Sequence, residues 1–257
     1  EAGKFAMDGT TGALRTVGDL DRENTAGYVL VLLATDGGQN PGPLTGSTTV
    51  YVTVTDVNDN TAVCSPALLA LSVSEGAAVG STVGSVTCTD QDDGINAVLS
   101  HTIVAGNTNN SFAVNSSTGD ITVASALDLE VTPTYVLELM VTDEGDPVLT
   151  GSVTVHVKLT DDNDFAPAFT NTAFAFNISE DAAIGTTLGQ ISATDEDRHE
   201  ESISYTIISG DDGNVFRLDT HTGTLSLKDN VDRETTDVFS LVVMATDSED
   251  SSGVKHN

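Results

Sequence analysis

Polar and apolar residues alternate along much of this chain. Val153, Val155, Val157 and Leu159 are separated by Thr154, His156 and Lys158. Tyr135, Leu137, Leu139 and Val141 form a second period-two row, Tyr28, Leu30, Leu32 and Ala34 a third, and Phe239, Leu241, Val243 and Ala245 a fourth. Alternation over about five to eight residues sends every second side chain to one face, so each row predicts a strand with one face on a core. Gly, Asn, Asp and Ser interrupt the rows about every 8 to 12 residues, the spacing of an all-β sandwich. Asn115-Ser116-Ser117-Thr118-Gly119 and Asp219-Thr220-His221-Thr222-Gly223 read as turns that place Gly where positive φ is cheap. No segment sustains a helical period.

The rows recur in phase with other landmarks. Phe5, Phe112 and Phe216 each precede a Thr-Gly pair, at Thr11-Gly12, Thr118-Gly119 and Thr222-Gly223. The acids Asp21 and Glu23 return as Asp128 and Glu130 and again as Asp232 and Glu234. Asp36, Asp143 and Asp247 each follow a Thr at the end of an apolar row, Ser74-Glu75 returns as Ser179-Glu180, and Asp90-Gln91-Asp92 as Asp195-Glu196-Asp197. Asp56-Val57-Asn58-Asp59-Asn60 recurs 105 positions later as Asp161-Asp162-Asn163-Asp164-Phe165. A period this long is a whole domain rather than a solenoid unit. About seven strands per period fit an immunoglobulin-like sandwich. The expected organisation is therefore all-β: a partial repeat over 1–60, a complete repeat over 61–165, and a repeat lacking its last strand and linker over 166–257. The chain opens on Glu1 rather than Met, so it is expected to be an interior piece of a longer protein.

Composition narrows the function. The net charge is −30, from 39 acidic and 9 basic residues, so nucleic acid is not the expected partner. The 39% apolar content and the alternating rows argue against disorder. No apolar run is long enough to cross a membrane as a helix. The sequons at Asn109, Asn115 and Asn177 point to an extracellular setting. Cys64 and Cys88 are too few to define a disulfide scaffold.

Scattered acids are explained by a solvated surface, but acids that keep step with the repeat are not. Asp56–Asn60 follows the row Val50, Val52, Val54, and Asp161–Phe165 follows the row ending at Leu159, so both clusters lie between domains. Carboxylate and amide oxygens gathered at a joint suit a hard cation, and calcium takes six to eight oxygen ligands in flexible geometry. Asp56-x-Asn58-x-Asn60 also begins like an EF-hand loop, but Thr61 stands where that loop needs Gly and Ala67 where it needs Glu. His101, His156, His199, His221 and His256 share no zinc-ligand spacing. The pairs Asp211-Asp212 and Glu200-Glu201 lack an apolar setting to raise a pKa, and no Gly-x-Ser-x-Gly elbow occurs. No catalytic constellation or small-molecule substrate site is expected.

These spaced motifs resemble the extracellular repeats of the cadherin family, over essentially the whole chain. The family carries Glu near the first strand, Asp-x-Asp after the second, Asp-Arg-Glu before the sixth, Ala-x-Asp after it, and Asp-x-Asn-Asp-Asn at the exit. The resemblance implies about three calcium ions at each joint. At the second joint it implies ligands Glu75, Asp128, Glu130, Asp161, Asn163, Asp164, Asp195, Asp197 and Asp247, with main-chain carbonyls at Asp162 and Phe165. At the first it implies Asp21, Glu23, Asp56, Asn58, Asp59, Asn60, Asp90, Asp92, Asn96 and Asp143. Glu180, Asp232 and Glu234 would face a third joint. The eight carboxylates of the second joint would repel one another without metal, and three divalent ions offset six of those charges. A loaded joint should be stiff and an empty one loose.

The chain departs from the family pattern in places. Phe165 replaces the last linker Asn, which bears only on a side chain if the position contributes its carbonyl. Thr61-Ala62 stand where Ala-Pro is common. Residues 197–201 lack the Gly-x-Asn present at Gly94-Ile95-Asn96. There is no Trp, so adhesion by Trp exchange cannot run from these residues. Cys64 takes the place of a usual Phe, and Cys64 and Cys88 are either bridged or two small buried thiols. The resemblance implies a non-enzymatic, calcium-dependent cell–cell adhesion protein. Its partners would be cadherin repeats on an opposing cell, those of the same protein in the first instance, and its parent membrane-anchored. Two other readings are a ligand-binding or structural β-sandwich scaffold and the accessory modules of a glycan-active enzyme.

Overall fold

A computed structural model of the chain describes residues 3–197 and 203–247. The described residues are strands joined by turns, with two short 3-10 segments, Gly94–Ala97 and Thr108–Asn110. The apolar pattern does not announce these segments. Asp93 caps the first through its side chain, which accepts the Gly94 N–H.

The chain divides into two compact units. One comprises residues 1–70, 82–122 and 136–156, and the other residues 71–81, 123–135 and 157–257. Each contains one of the two acidic linkers.

The middle repeat is built from two main sheets. A four-stranded sheet runs in the order Leu68–Ser74, Thr150–Thr160, Thr134–Thr142, Ser100–Ala105. A three-stranded sheet runs Phe112–Val114, Asp120–Val123, Thr82–Ser85. The predicted rows lie in these strands with the predicted face inward: Leu137, Leu139, Val141 and Val155 are fully buried, and Val153, Val157 and Leu159 nearly so. Thr154, His156 and Lys158 fall on the opposite face. Burying such side chains contributes about 1.5–3 kcal/mol each, which selects this register over a one-residue slip.

In the first unit, Gly27–Thr35 pairs antiparallel with Thr45–Thr53, from Gly27 opposite Thr53 to Thr35 opposite Thr45. Tyr28 is buried against Phe5, whose ring meets it edge-on at 5.0 Å. Leu30 and Leu32 are half-buried, while Ala34 is exposed. The second unit repeats the ring pair with Phe216 and Phe239, also at 5.0 Å and edge-on. There the fourth predicted row is only partly strand. Val242–Thr246 pairs with Ser204–Ser209, whereas Phe239 and Leu241 precede the strand and pack on the cluster of Val215, Phe216, Leu225 and Leu227. Residues 171–180 form no ladder, although their counterparts Leu68–Ser74 do. The strand that pairs with Leu68–Ser74 is Thr150–Thr160, and its counterpart in the third repeat falls after residue 247, outside the described residues.

The recurrent Thr-Gly pair has a steric cause. At Gly119 φ is +74°, and a Cβ there would lie 2.4 Å from the Val86 carbonyl oxygen. At Gly223 φ is +66°, and a Cβ would lie 2.0 Å from the Ile191 carbonyl oxygen. Only glycine lets the turn close on the segment that follows the neighbouring strand in both repeats.

Cys64 and Cys88 form a disulfide, which resolves the choice left open by the sequence. They sit opposite each other where Val63–Cys64 pairs with Cys88–Thr89. This two-residue ladder carries the chain out of the first linker. His199, His256 and the pair Glu200-Glu201 lie outside the described residues, as does the segment that replaces Gly-x-Asn.

Candidate metal centres

The linker of the first unit leaves the strand Thr45–Thr53 and is held by side-chain hydrogen bonds. Asp56 Oδ2 accepts the Asp93 N–H at 3.0 Å and the Asn96 amide at 2.8 Å. The Asp93 amide, followed by Asn96 and Arg22, holds the Asp56 carboxyl below its usual range against the opposing effect of burial. Asn58 is buried and donates to the Pro147 carbonyl at 2.6 Å. Asn60 donates its backbone N–H to Asp92 Oδ2 at 3.2 Å and its side-chain amide to Asp92 Oδ1 at 2.7 Å and Asp59 Oδ1 at 2.9 Å.

This arrangement brings oxygens of Glu23, Asp56 and Asp92 within 4.8 Å of one another. The remaining predicted residues surround that triad in different ways. Asp21 accepts the Asn24 N–H at 2.9 Å and shapes the turn that carries Glu23. Asp90 accepts the Asp92 N–H through Oδ1 at 3.0 Å, and its Oδ2 is buried with no hydrogen-bond partner. Asp143 is buried and accepts the N–H groups of Gly145 at 3.0 Å and Leu149 at 3.1 Å. Asn58 Oδ1 is also buried and unpaired.

Among the described residues the second unit holds three acidic triads. Glu75, Asp128 and Glu130 form one, Asp195, Asp197 and Asp247 another, and Glu180, Asp232 and Glu234 the third, each with oxygens within 4.8 Å of one another. Glu75 is buried, with Oε1 accepting the Asp162 N–H at 3.0 Å and Oε2 accepting the Leu129 N–H. Asp128 Oδ1 accepts the Val131 N–H at 2.8 Å, closing the turn that presents Glu130. Glu180 repeats the motif, accepting the Arg233 N–H at 3.1 Å, but all three acids of its triad are exposed.

The linker acids act on both of the first two triads. Burial raises the Glu130 carboxyl, and Glu75, Asp161 and Asp164 raise it further. Burial and then Asp195, Asp161 and Asp164 push Asp197 up to about 6, against the lowering effect of the Phe165 N–H. That N–H lies 3.3 Å from both Asp197 oxygens. Asp195 accepts the Asp197 N–H at 3.0 Å, while Asp195 Oδ2 and Asp247 Oδ2 are buried without a hydrogen-bond partner. Asn163 is half-buried and Asp164 exposed. Buried carboxylate oxygens with no donor are costly unless a cation satisfies them, so these residues fit a hard divalent ion better than an empty acidic surface.

Two features escaped sequence reasoning. Arg22, the middle residue of the Asp21–Glu23 motif, places its guanidinium among the acids of the first linker. Gly145 is buried against Asn58, and a Cβ there would lie 2.2 Å from Asn58 Nδ2. The motif spacing signals neither, since both depend on what the fold brings alongside the linker.

Comparison with known proteins bears directly on this geometry. The cadherin domain model matches residues 1–55, 70–160 and 174–256. The chain is 39% identical to human protocadherin Fat 4 over 247 residues, 95% of this chain and 5% of that protein. It is 34% identical to mouse cadherin EGF LAG seven-pass G-type receptor 3 over 248 residues, 96% of this chain and 8% of that protein. The chain therefore spans a small fraction of the curated relatives it matches. Among solved structures, EC3-6 of protocadherin gammaB7 is similar with a TM-score of 0.81 at 29% identity, over 95% of this chain and 61% of that one. EC22-24 of mouse cadherin-23 is similar with a TM-score of 0.76 at 28% identity, over 95% of this chain and 77% of that one.

Proposed function

The chain belongs to the cadherin family, and from that premise we propose that it is a run of calcium-stiffened repeats serving cell–cell adhesion on the outer side of the plasma membrane. The repeats are assigned to 1–60, 61–165 and 166–257, with the membrane anchor of the parent protein outside this stretch. The partner is a set of cadherin repeats on an opposing cell, most simply those of a second copy. The role is mechanical and adhesive, with no catalysis.

The observation that carries this reading is the set of buried, unpaired oxygens of Asp90, Asp195 and Asp247 beside repeat-phased acidic triads. In the second joint Glu75, Asp128, Glu130, Asp161 and Asp164 would hold ions on one side, and Asp195, Asp197 and Asp247 on the other. Asn163 and the carbonyls of Asp162 and Phe165 complete the shell. The first joint would use Asp21, Glu23, Asp56, Asn58, Asp59, Asn60, Asp90, Asp92, Asn96 and Asp143. Glu180, Asp232 and Glu234 are the incoming half of a third joint. About three ions per complete joint supply positive charge where carboxylates otherwise repel, which converts a loose linker into a stiff one. Stiff joints in series present an adhesive surface at a fixed reach.

Calcium titration by calorimetry on the wild-type chain and Asp164→Ala tests this. Several ions binding between micromolar and millimolar calcium, with binding much weakened by the substitution, is the expected result. Absence of binding, or binding indifferent to Asp164, would remove the physical basis of the proposal. Beads coated with the chain should then clump only in calcium. Calcium binding without clumping would favour a structural scaffold over adhesion by these repeats.

A further inference from the structure

The first joint already contains a cation. Arg22 lies between Asp21 and Glu23, and its side chain is 17% exposed. Nη2 lies 2.6 Å from Glu23 Oε1 and Nε lies 2.5 Å from Asp56 Oδ1. Nη2 also donates to the Gln91 carbonyl at 2.9 Å, beside Asp92. Glu23, Asp56 and Asp92 are the triad whose oxygens converge within 4.8 Å. The guanidinium therefore neutralises two members of the set that would hold a divalent ion. The chain has only 9 Lys and Arg residues against 39 acids, so a basic side chain at this position is not a by-product of a basic surface.

Among the described residues, the second joint has no such group. Its equivalent of Arg22 is Leu129, which is buried and offers only its backbone N–H, to Glu75. Both joints hold buried carboxylate oxygens with no hydrogen-bond partner, Asp90 Oδ2 in the first and Asp195 Oδ2 and Asp247 Oδ2 in the second. Asp56 in the first also accepts hydrogen bonds from Asp93 and Asn96 and pairs with Arg22.

We propose that Arg22 is an affinity-setting residue of the first joint: a tethered cation that competes with calcium for Glu23 and Asp56 and holds the linker closed when calcium is low. This rests on the calcium reading of the joints. An intramolecular cation and a bound ion that claim the same carboxylates are coupled, and such coupling amounts to roughly 5–150-fold in affinity. The two joints then stiffen at different calcium levels. The second depends on calcium throughout, whereas the first keeps part of its order without it and needs more calcium to reach the loaded state.

Hydrogen exchange read by mass spectrometry on the whole 257-residue chain, across a calcium series, tests each joint separately. Peptides covering residues 56–60 and 161–165 report the two linkers, and the strand Thr134–Thr142 reports folding. In Arg22→Leu, residues 56–60 should lose protection without calcium, and the calcium needed for half-protection should fall by roughly fivefold or more. Residues 161–165 should not change. The reciprocal Leu129→Arg should raise the calcium requirement at 161–165. If Thr134–Thr142 loses protection in Arg22→Leu, Arg22→Gln replaces it with the same expectations. Protection at 56–60 unchanged by loss of the guanidinium, or a higher calcium requirement, overturns the proposal while leaving calcium binding intact. Calcium-insensitive exchange at both linkers of the wild-type chain overturns the calcium reading together with this one.

Discussion

Glu75 accepts the backbone N–H of Asp162 through one carboxylate oxygen, at 3.0 Å, and that of Leu129 through the other. One buried side chain thus ties the end of the first strand of the middle repeat to the second linker and to the turn that carries Asp128 and Glu130. Glu75→Ala leaves one buried and one partly buried N–H group without acceptors. Losing such a partner costs about 1–3 kcal/mol. Urea denaturation in chelator should show a loss of that size, and calcium binding at the second joint should weaken in parallel. Unchanged stability would mean that water replaces both bonds.

The second joint should respond to pH. Asp197 is raised to about 6, first by burial and then by Asp195, Asp161 and Asp164. Glu130 is raised for the same kind of reason, with burial foremost and Glu75 next. An acid whose folded pKa lies above its unfolded value binds more protons when folded. Its charged form therefore destabilises the calcium-free fold above about pH 6, and that effect is relieved as pH falls from about 6 towards the unfolded value near 4. Calcium needs the deprotonated carboxylate, so its affinity should move the opposite way and fall below about pH 6. Thermal melts in chelator and calcium titrations at pH 5, 6 and 7 check both directions, and parallel movement of the two would contradict this account.

The strands and the acidic sites were legible to different degrees, for physical reasons. Alternation at Leu137, Leu139, Val141 and Val155 located the core because period two is a direct consequence of strand geometry. The in-phase acids located the joints because the repeat places each at the same strand end, and four triads converge in space. Alternation could not show that Phe239 and Leu241 pack on a core without joining a strand, since packing and pairing use the same apolar pattern. Nor could it show that Arg22 turns towards Asp56, 34 residues on in the chain, or that Asn58 rests on Gly145. Those contacts depend on long-range placement, not on local period.

The disulfide stabilises a short piece of structure. Val63–Cys64 and Cys88–Thr89 form only a two-residue ladder, and Cys64 and Cys88 lie 24 positions apart. Closing a loop of this size contributes about 3 kcal/mol by restricting the unfolded chain. The double change Cys64→Ala and Cys88→Ala should lower the stability of the middle repeat by about 2–4 kcal/mol in chemical denaturation. Reductant should produce the same loss in the wild type and none in the variant. A reductant effect that persists in the variant would place its cause elsewhere.

Gly145 offers the most local test of the first joint. It follows Asp143, whose Oδ1 accepts the Gly145 N–H at 3.0 Å, so its backbone is fixed by a buried carboxylate. A Cβ at this position would lie 2.2 Å from Asn58 Nδ2 and 2.7 Å from Asn96 Oδ1. Asn58 is buried and bonded to the Pro147 carbonyl, so it cannot swing away without losing that bond. Gly145→Ala should therefore displace the linker at Asn58, at a cost of about 1–3 kcal/mol. Asn96, which donates to Asp56, would shift with it. Calcium protection of residues 56–60 should then require more calcium, with 161–165 unaffected. An equal loss at both linkers would show that the change unfolds the middle repeat rather than disturbing one joint. No loss at either would show that Asn58 yields without consequence and that its bond to Pro147 does not position the linker.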